Sequence, residues 1–301
     1  MPHVIQHLGE TLVTNLLFTL LAMVITLPFL QEAPRTTSSE TTSSETTPSQ
    51  TTSSEVDRLL DRLEDEHGAI RLFSSPLTYR KDYDLEGDFE TRLGEIAITI
   101  DPPERDVVLV FDRIIDASGH GTSKSEYHAF EEGWWVEMTP DRKRIVRRQI
   151  SRPGEDLDPF KLGEGPFPLP LAQKAETVRR RFEPSIGTLP DEPLFRALKD
   201  VEVLHLIPRL GTPAHEDHES IDLIFEKTGL LPVGVLVRHR NGDRTSVWLR
   251  APELHTDEKA FMNGRIQKEM ASLREKAVDE EWSVEVKRLP EPSSETEGSR
   301  P

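Results

Sequence analysis

The chain has 301 residues, and its 54 aspartates and glutamates outnumber its 37 lysines and arginines, so the formal net charge is −17. This acidic balance argues against a nucleic-acid partner, because binding to phosphates needs a concentrated basic surface. The chain has no cysteine, which excludes disulfides, cysteine-ligated metal centres, a thiol nucleophile and a lipidated cysteine.

The first predicted element is the apolar segment Leu12–Leu30, which contains no charged residue. Its length is close to the ~20 residues that a helix needs to cross a bilayer. Residues 1–11 contain Glu10 but neither lysine nor arginine, and the small-residue cleavage pattern that follows is poor. Residues 1–35 are therefore expected to be either a signal peptide or a retained membrane anchor, with a buried N-terminal helix as the least favoured alternative.

The next segment, Thr36–Glu55, repeats the pentapeptides TTSSE, TTSSE, TTPSQ and TTSSE. It has no apolar side chain to bury, so it is expected to be a disordered stalk. Residues 290–301 are expected to form a second disordered, polar tail. This leaves residues 56–289 as the one candidate for a folded domain.

A helix and a series of strands are predicted in the first half of this domain. Ser54 is the expected N-cap of the helix, and Val56, Leu59 and Leu63 share one face before Gly68 and a break at Phe73–Ser75. Strands separated by turn signals follow it. They are predicted at Leu77–Tyr83, Thr91–Ile100, Asp106–Ile115, Ser125–Phe130, Trp134–Thr139 and Lys143–Ile150.

The second half of the domain begins with a passage rich in proline and glycine, which leads to a second predicted helix. The stripe of that helix is Leu171, Ala175, Val178 and Phe182. Four strands are then predicted at Val201–Ile207, Ser220–Glu226, Val233–His239 and Thr245–Arg250. A helix with the stripe Ile266, Met270, Leu273 and Ala277 and a strand at Ser283–Lys287 close the domain.

About ten short strands joined by hairpin turns predict a mostly antiparallel α+β fold built on a curved sheet or barrel. In the strand Ser220–Glu226, apolar and polar residues alternate, which is typical of a sheet with one dry face and one wet face. The run Val107–Phe111 is apolar on both faces, so we expect it to be covered on both sides.

Two sets of polar residues are candidates for catalysis or metal binding. His215 and His218 lie in the sequence HEDHE, which reads as an acidic loop rather than a metal-binding helix, because its histidines are three residues apart. Ser118 lacks the glycine that a nucleophile elbow needs two residues before the serine. No catalytic residue, metal site or cofactor is therefore predicted, and a metal-dependent hydrolase using His215 and His218 is the least favoured function.

The strongest basic run is a possible strip for anions or a partner protein, although a solvated strand edge is the simpler interpretation. Its members are Arg142, Lys143, Arg144, Arg147 and Arg148. Nearby, Trp134 and Trp135 must project to opposite faces of one strand. One of these rings is expected to lie in the core and the other to line a cavity.

Three segments, in this order, resemble the outer-membrane lipoprotein carrier family, the LolA-like proteins. They are GEIAITIDPP (Gly94–Pro103), GWWVEMTP (Gly133–Pro140) and GEGPFPLPL (Gly163–Leu171). The resemblance covers about residues 56–252 and implies an unclosed half β-barrel with a helical lid, located in the periplasm or cell envelope. It departs from the family at Asp101, where transport members usually carry an arginine that latches the lid.

The resemblance implies a non-enzymatic carrier whose partners are the acyl chains of lipids or lipoproteins, with envelope membrane proteins as donor or acceptor. The residues predicted to line the groove are Val107, Leu109, Phe111, Trp134, Ile221, Leu223, Phe225, Val235 and Val237. The predicted lid residues are Phe167, Leu169, Leu171 and Phe182. The alternative is a stalked interaction module in which these residues form an ordinary, filled core.

Overall fold

The computed structural model describes residues 49–101, 104–152, 162, 167–169, 171 and 173–289. The apolar segment Leu12–Leu30, the stalk up to residue 48 and the tail 290–301 lie outside the described residues. No helix within the described ranges is both long enough and apolar enough to cross a membrane.

Five helices and thirteen strands are present in the described part of the chain. The helices are α1 (Ser49–Gly68), α2 (Ala175–Arg181), α3 (Pro213–Asp217), α4 (Glu258–Met262) and α5 (Arg265–Asp279), with a 3₁₀ turn at Pro140–Arg142. The first six strands are β1 (Leu72–Tyr83), β2 (Asp88–Asp101), β3 (Glu104–Asp116), β4 (Gly121–Glu131), β5 (Trp134–Thr139) and β6 (Arg144–Gln149). The others are β7 (Phe182–Ile186), β8 (Val201–Pro208), β9 (His218–Glu226), β10 (Pro232–His239), β11 (Arg244–Leu249), β12 (Glu253–His255) and β13 (Ser283–Lys287).

The strands form one sheet in the order β13-β6-β5-β4-β3-β2-β1-β11-β10-β9-β8-β7, and β12 pairs with β1. Neighbouring strands are antiparallel except β13 and β6, which are parallel. Within the described chain the order ends at β13 and β7 without closing on itself. The predicted α+β class, with a mostly antiparallel and unclosed half-barrel sheet, is confirmed.

The inner face of the sheet carries the largest apolar cluster of the protein. Side chains that alternate along the strands, such as Leu223 and Phe225 of β9, point to this face. Val56, Leu59 and Leu63 of α1 and Val178 of α2 cover them. The period-2 pattern of the strands and the helical stripe of α1 therefore meet in one core, as burial of both faces requires.

Two smaller apolar clusters lie on the outer face. Ile266 and Met270 of α5 pack against the outer residues of β2 to β5, among them Val110. Phe195, in the segment before β8, packs against Ile224 and Leu236. The run Val107–Phe111 is therefore covered on both sides, as its apolar character predicts.

Several element boundaries differ from the predictions. Helix α1 begins at Ser49 instead of after a cap at Ser54, because a helix anchored by a buried stripe gains one hydrogen bond for each residue added at its end. The expected break at Phe73–Ser75 lies within β1, where all three residues pair with β2, and Phe73 and Ser74 also pair with β12. Strand pairing thus outweighs the turn tendency of the two serines.

Helix α3 and the pairing of strand β13 also differ from what the sequence predicts. The segment that contains His215 is a short helix, α3, rather than a loop, and Pro213 stands at its start, where the missing N–H costs nothing. Strand β13 lies parallel to β6. Such a long-range pairing is not encoded in the local pattern of either strand.

Replacing Gly94 by alanine is expected to lower the free energy of unfolding by about 1–3 kcal/mol. Gly94 lies at a register shift between β2 and β3, and a Cβ atom there would stand 2.0 Å from the carbonyl oxygen of Val110. Urea unfolding of wild type and of Gly94→Ala measures the difference in the free energy of unfolding. Gly68→Ala is the control, because a Cβ at Gly68 meets no atom within 4 Å. Equal midpoints for Gly94→Ala and wild type would show that the two backbones are not this close.

Candidate functional site

Most of the predicted groove residues lie together on the inner face of the sheet. They are completely or almost completely buried, and they are Val107, Leu109, Phe111, Ile221, Leu223, Phe225, Val235 and Val237. Of these eight residues, Leu109 and Phe111 border the cavity that is described below. The other six are packed against helices and neighbouring strands, so this part of the inner face is a filled core.

The two adjacent tryptophans lie on opposite faces, and the prediction for Trp134 is corrected. Trp134 packs with the outer cluster beneath α5, and the guanidinium of Arg147 lies 5.0 Å from the centre of its ring. Trp135 is the buried neighbour on the inner face, where it borders the cavity. The pairing of Trp135 with Phe130 of β4 places its ring on the side of the inner cluster.

The predicted lid residues take two different positions. Phe167, Leu169 and Leu171 are buried in the inner cluster and precede α2, and none of these three residues belongs to a helix or strand. Phe182 belongs to that cluster too, but it is the first residue of β7 rather than part of a lid helix. Its backbone N–H donates to the carbonyl of Val178, so the helix ends there.

Helix α2 is held on the sheet by contacts with α1. The backbone N–H of Ala175 donates to Glu64 over 2.9 Å, and Arg179 forms ion pairs with Asp57 and Asp61 at 2.9 and 3.1 Å. Asp101, which the resemblance places where the LolA-like family usually has its latching arginine, is exposed at the end of β2. The covering elements of this chain therefore have their own attachment.

A cavity of about 320 Å³ lies on the inner face between strands β1 to β6 and the segment that contains Phe167. Its apolar wall is formed by Tyr79, Leu109, Phe111, Trp135, Ile150 and Phe167. The rings of Tyr79 and Phe167 are stacked with their centres 6.1 Å apart, so Phe167 closes one side. The volume is at the lower end of the 300–1,000 Å³ that is common for small-molecule sites.

The other wall of the cavity is polar. It carries Lys81, Tyr83, Glu90, Arg92, His128, Glu137 and Arg148. Arg92 pairs with Glu90 and with Glu126, both at 2.6 Å, and Arg148 pairs with Glu137. The Nζ atom of Lys81 lies 3.8 Å from Asp243. Each cation on this wall thus has a carboxylate beside it.

His128 stands between the two walls. Its ring centre lies 5.8 Å from that of Phe111 and 5.6 Å from that of Trp135. Both ring nitrogens are buried, and neither has a hydrogen-bond partner among the described residues. Burial disfavours the charged imidazolium and lowers the pKa of His128 to about 4, although Glu137 and Glu126 act in the opposite direction. The side chain is therefore neutral at pH 7.

The basic run does not form one continuous strip. Lys143 pairs with Glu280 at 2.9 Å and Arg144 with Glu285, whereas Arg148 points to the inner face and borders the cavity. Arg142 lies in the exposed 3₁₀ turn. Because β13 pairs with β6, the run is also not a sheet edge, which corrects the simpler interpretation of these residues.

His215 and His218 lie in different elements, α3 and β9. The Nδ1 atom of His218 is 3.2 Å from the Nδ1 atom of His239, and the Nε2 atom of His239 is 3.0 Å from the hydroxyl of Thr245. Over the ranges that the structure covers, no group of three or more histidines and carboxylates is placed to hold a metal ion. The geometry thus offers the hydrolase alternative no third ligand.

Tyr79, His128, Trp135 and Ile150 were missed as site residues. The sequence does contain one relevant signal, because Glu126, His128 and Phe130 alternate with Tyr127 and Ala129 along β4. That alternation places His128 on the face of Phe130. It does not indicate which face is covered, and the neighbours of His128 are set by strand pairing.

The chain is thus a half-barrel protein, with an unclosed, mostly antiparallel sheet and helices over an inner face that contains a partly apolar cavity. No protein-family model matches the sequence. A search of curated proteins also finds no match.

Solved structures do match the chain. An uncharacterized conserved protein from Thermus thermophilus has a TM-score of 0.40 and 10% identity, over 78% of this chain and 99% of that one. A putative outer membrane lipoprotein-sorting protein domain from Vibrio parahaemolyticus has a TM-score of 0.36 and 14% identity, over 69% and 96%.

A LolA superfamily protein from Nitrosomonas europaea has a TM-score of 0.28 and 10% identity, over 70% of this chain and 97% of that one. The matches therefore include the family that the sequence resembles. With identities of 10–14% and TM-scores below 0.5, these likenesses assign no function to the chain.

Proposed function

We propose that this protein is a non-enzymatic carrier of the cell envelope that binds the acyl chain of a lipid or lipoprotein on the inner face of its sheet. The observation that carries the proposal is the cavity between the sheet and Phe167, whose apolar wall suits a hydrocarbon chain. Transfer of each CH₂ group out of water is worth about 0.8 kcal/mol. A 16-carbon chain therefore resists entering water by roughly 12 kcal/mol, and only a covered apolar site can carry it.

An acyl chain too long for this cavity would have to extend towards α1 and α2. The polar contacts between these two helices include exposed ion pairs, such as Arg179 with Asp57. Exposed ion pairs contribute little to stability, commonly less than about 1 kcal/mol each. Movement of α2 and of Phe167 away from the sheet is part of the proposal for such a chain.

Ile150→Trp is expected to lower the affinity for a fluorescent fatty acid at least about tenfold, because the larger side chain occupies the cavity that Ile150 borders. Ile145→Trp is the matched control. It is the same substitution, but Ile145 packs in the outer cluster under α5. Binding to the delipidated full chain is measured by titration, and native mass spectrometry of the purified chain detects lipid that is already bound.

Absence of lipid binding by the wild-type chain would overturn the carrier proposal. Wild-type affinity in both Ile150→Trp and Ile145→Trp would show that binding occurs elsewhere, for example at the N-terminal apolar segment. Thermal unfolding of each variant establishes that it is folded before the affinities are compared.

A second function is supported by a different observation. Six of the predicted groove residues lie in a filled core, which fits an interaction module that docks an envelope protein and binds no lipid. Wild-type protein that is folded, free of lipid in native mass spectrometry and unable to bind the fluorescent fatty acid would favour this function.

An envelope location and the role of Leu12–Leu30 belong to the same proposal. A retained anchor would confine the carrier near one membrane, whereas a cleaved signal would release it. The intact mass of the protein purified from an exporting bacterial host distinguishes these two cases.

A further inference from the structure

We infer that the cavity contains a hydrogen-bonding site for a neutral acyl ester, in which His128 contacts the ester group and the aromatic wall holds the hydrocarbon chain. This inference rests on the proposed function and makes it more specific. It names the polar part of the ligand and the side chain that recognises it.

The first argument is the hydrogen bonding of His128. Buried polar atoms in folded proteins are paired almost without exception, because an unpaired one loses its hydrogen bonds to water without replacement. Both ring nitrogens of His128 are buried and have no hydrogen-bond partner among the described residues. The ring lines the cavity, so a ligand there would meet a ring nitrogen once the imidazole turns towards it.

The second argument is the protonation state of the ring. Because burial lowers the pKa of His128 to about 4, the imidazole at pH 7 has one N–H donor and one acceptor nitrogen. An ester carbonyl accepts from such an N–H without adding a charge to the site. The aromatic rings of Phe111 and Trp135 lie beside the imidazole, so a ligand can contact the donor and the apolar wall together.

The third argument is the charge of the polar wall. The groups that face His128 from β2, β4, β5 and β6 are Arg92, Glu126, Glu137 and Arg148. They are paired with each other across the strands, Arg92 with Glu126 and Arg148 with Glu137. A free carboxylate would bring a buried charge without a cation of its own, which is unfavourable. The wall therefore favours an ester over the anion of a fatty acid.

The experiment compares three probes with the same twelve-carbon chain, methyl laurate, laurate and dodecane, by displacement of a fluorescent lipid from the full chain at pH 7.5. Wild type is expected to bind methyl laurate about tenfold more tightly than dodecane, which corresponds to one hydrogen bond. Laurate is expected to bind more weakly than its methyl ester.

His128→Phe keeps an aromatic ring but removes both nitrogens, so it is expected to bind dodecane like wild type and to lose the preference for the ester. His128→Gln retains a donor and an acceptor and is expected to recover part of the preference. It also serves if the phenylalanine variant does not fold. In wild type, ¹⁵N resonances of the His128 ring are expected to shift on addition of methyl laurate but not of dodecane.

The outcomes separate the two proposals. If no probe binds to wild type, the carrier function fails and the ester site fails with it. If all three probes bind and the preference for the ester is the same in wild type and His128→Phe, the carrier function stands and the role of His128 is overturned. A preference for laurate over methyl laurate in wild type would also overturn it.

Discussion

Replacing Phe225 by alanine is expected to lower the free energy of unfolding by about 3–5 kcal/mol, the usual cost of removing a buried phenylalanine ring. Phe225 is only 1% exposed, its ring centre lies 5.8 Å from that of His67, and it does not border the cavity. The loss arises because the surrounding side chains of the core collapse only partly into the space that the ring leaves.

Urea unfolding of the full chain, followed by tryptophan fluorescence, measures this change. Leu85→Ala is the control, since Leu85 is 90% exposed and its truncation is expected to change stability by less than about 0.5 kcal/mol. A loss of less than about 1 kcal/mol in Phe225→Ala would mean that Phe225 lines an open groove. In that case the filled core described above would be wrong at this position.

Acidification from pH 7 to pH 4 is expected to remove about 3 kcal/mol of stability through His128 alone. Burial lowers the folded-state pKa of this residue from its ordinary value of 6.5 to about 4. As the pH falls, the unfolded chain therefore takes up the proton first. The contribution of the neutral ring is complete above pH 6.5 and is lost as the pH falls towards 4.

Other titratable groups also lower the stability as the pH falls, and their contributions must be separated from that of His128. Burial and the neighbouring His218 lower the pKa of His239 as well. The pKa of Glu126 is also lowered, through its contacts with Lys124 and Arg92 and against the effect of burial, so its contribution is lost at still lower pH. The difference between wild type and a variant at each pH isolates the part that belongs to His128.

His128→Gln does not titrate in this range, so its stability is expected to fall by about 3 kcal/mol less than that of wild type between pH 7 and pH 4. Tyr127→Phe, the neighbouring change on the outer face of β4, is expected to keep the wild-type pH dependence, because a phenol does not titrate there. Urea unfolding at a series of pH values tests both. An identical pH dependence for His128→Gln and wild type would place His128 in contact with water.

Local patterns in the sequence predicted most of the individual strands. The bounds of β5 and β13 were predicted correctly, and the strand containing Val107–Phe111 was recognised as covered on both sides. These successes have one physical cause, since alternation and turn residues act over a few neighbouring positions. The pairing of β1 with β11, which joins the two halves of the sheet, left no comparable signal.

The side chains that line the cavity could not be predicted from local sequence patterns. The sequence placed Trp134 and Trp135 on opposite faces, but the choice of the inner ring was wrong. Strand alternation shows that two side chains lie on opposite faces, but it does not show which face is the inner one. That is decided by the packing of α1 on one face and of α5 on the other. Similarly, the basic run predicted a strip of free cations. Two of these cations instead pair with carboxylates that are distant in the chain, Lys143 with Glu280 at the end of α5 and Arg148 with Glu137 of β5.

Composition and short-range periodicity were enough to establish a mostly antiparallel sheet with helices, an apolar inner surface and the absence of cysteine chemistry. The tertiary structure alone decided which apolar residues are filled core and which line a cavity. It also placed a neutral, partly buried His128, with both ring nitrogens buried, among Phe111, Trp135 and paired charges. Such a site is built from strands β1 to β6 and the Phe167 segment, and residues so far apart in the chain become neighbours only when the whole sheet has formed.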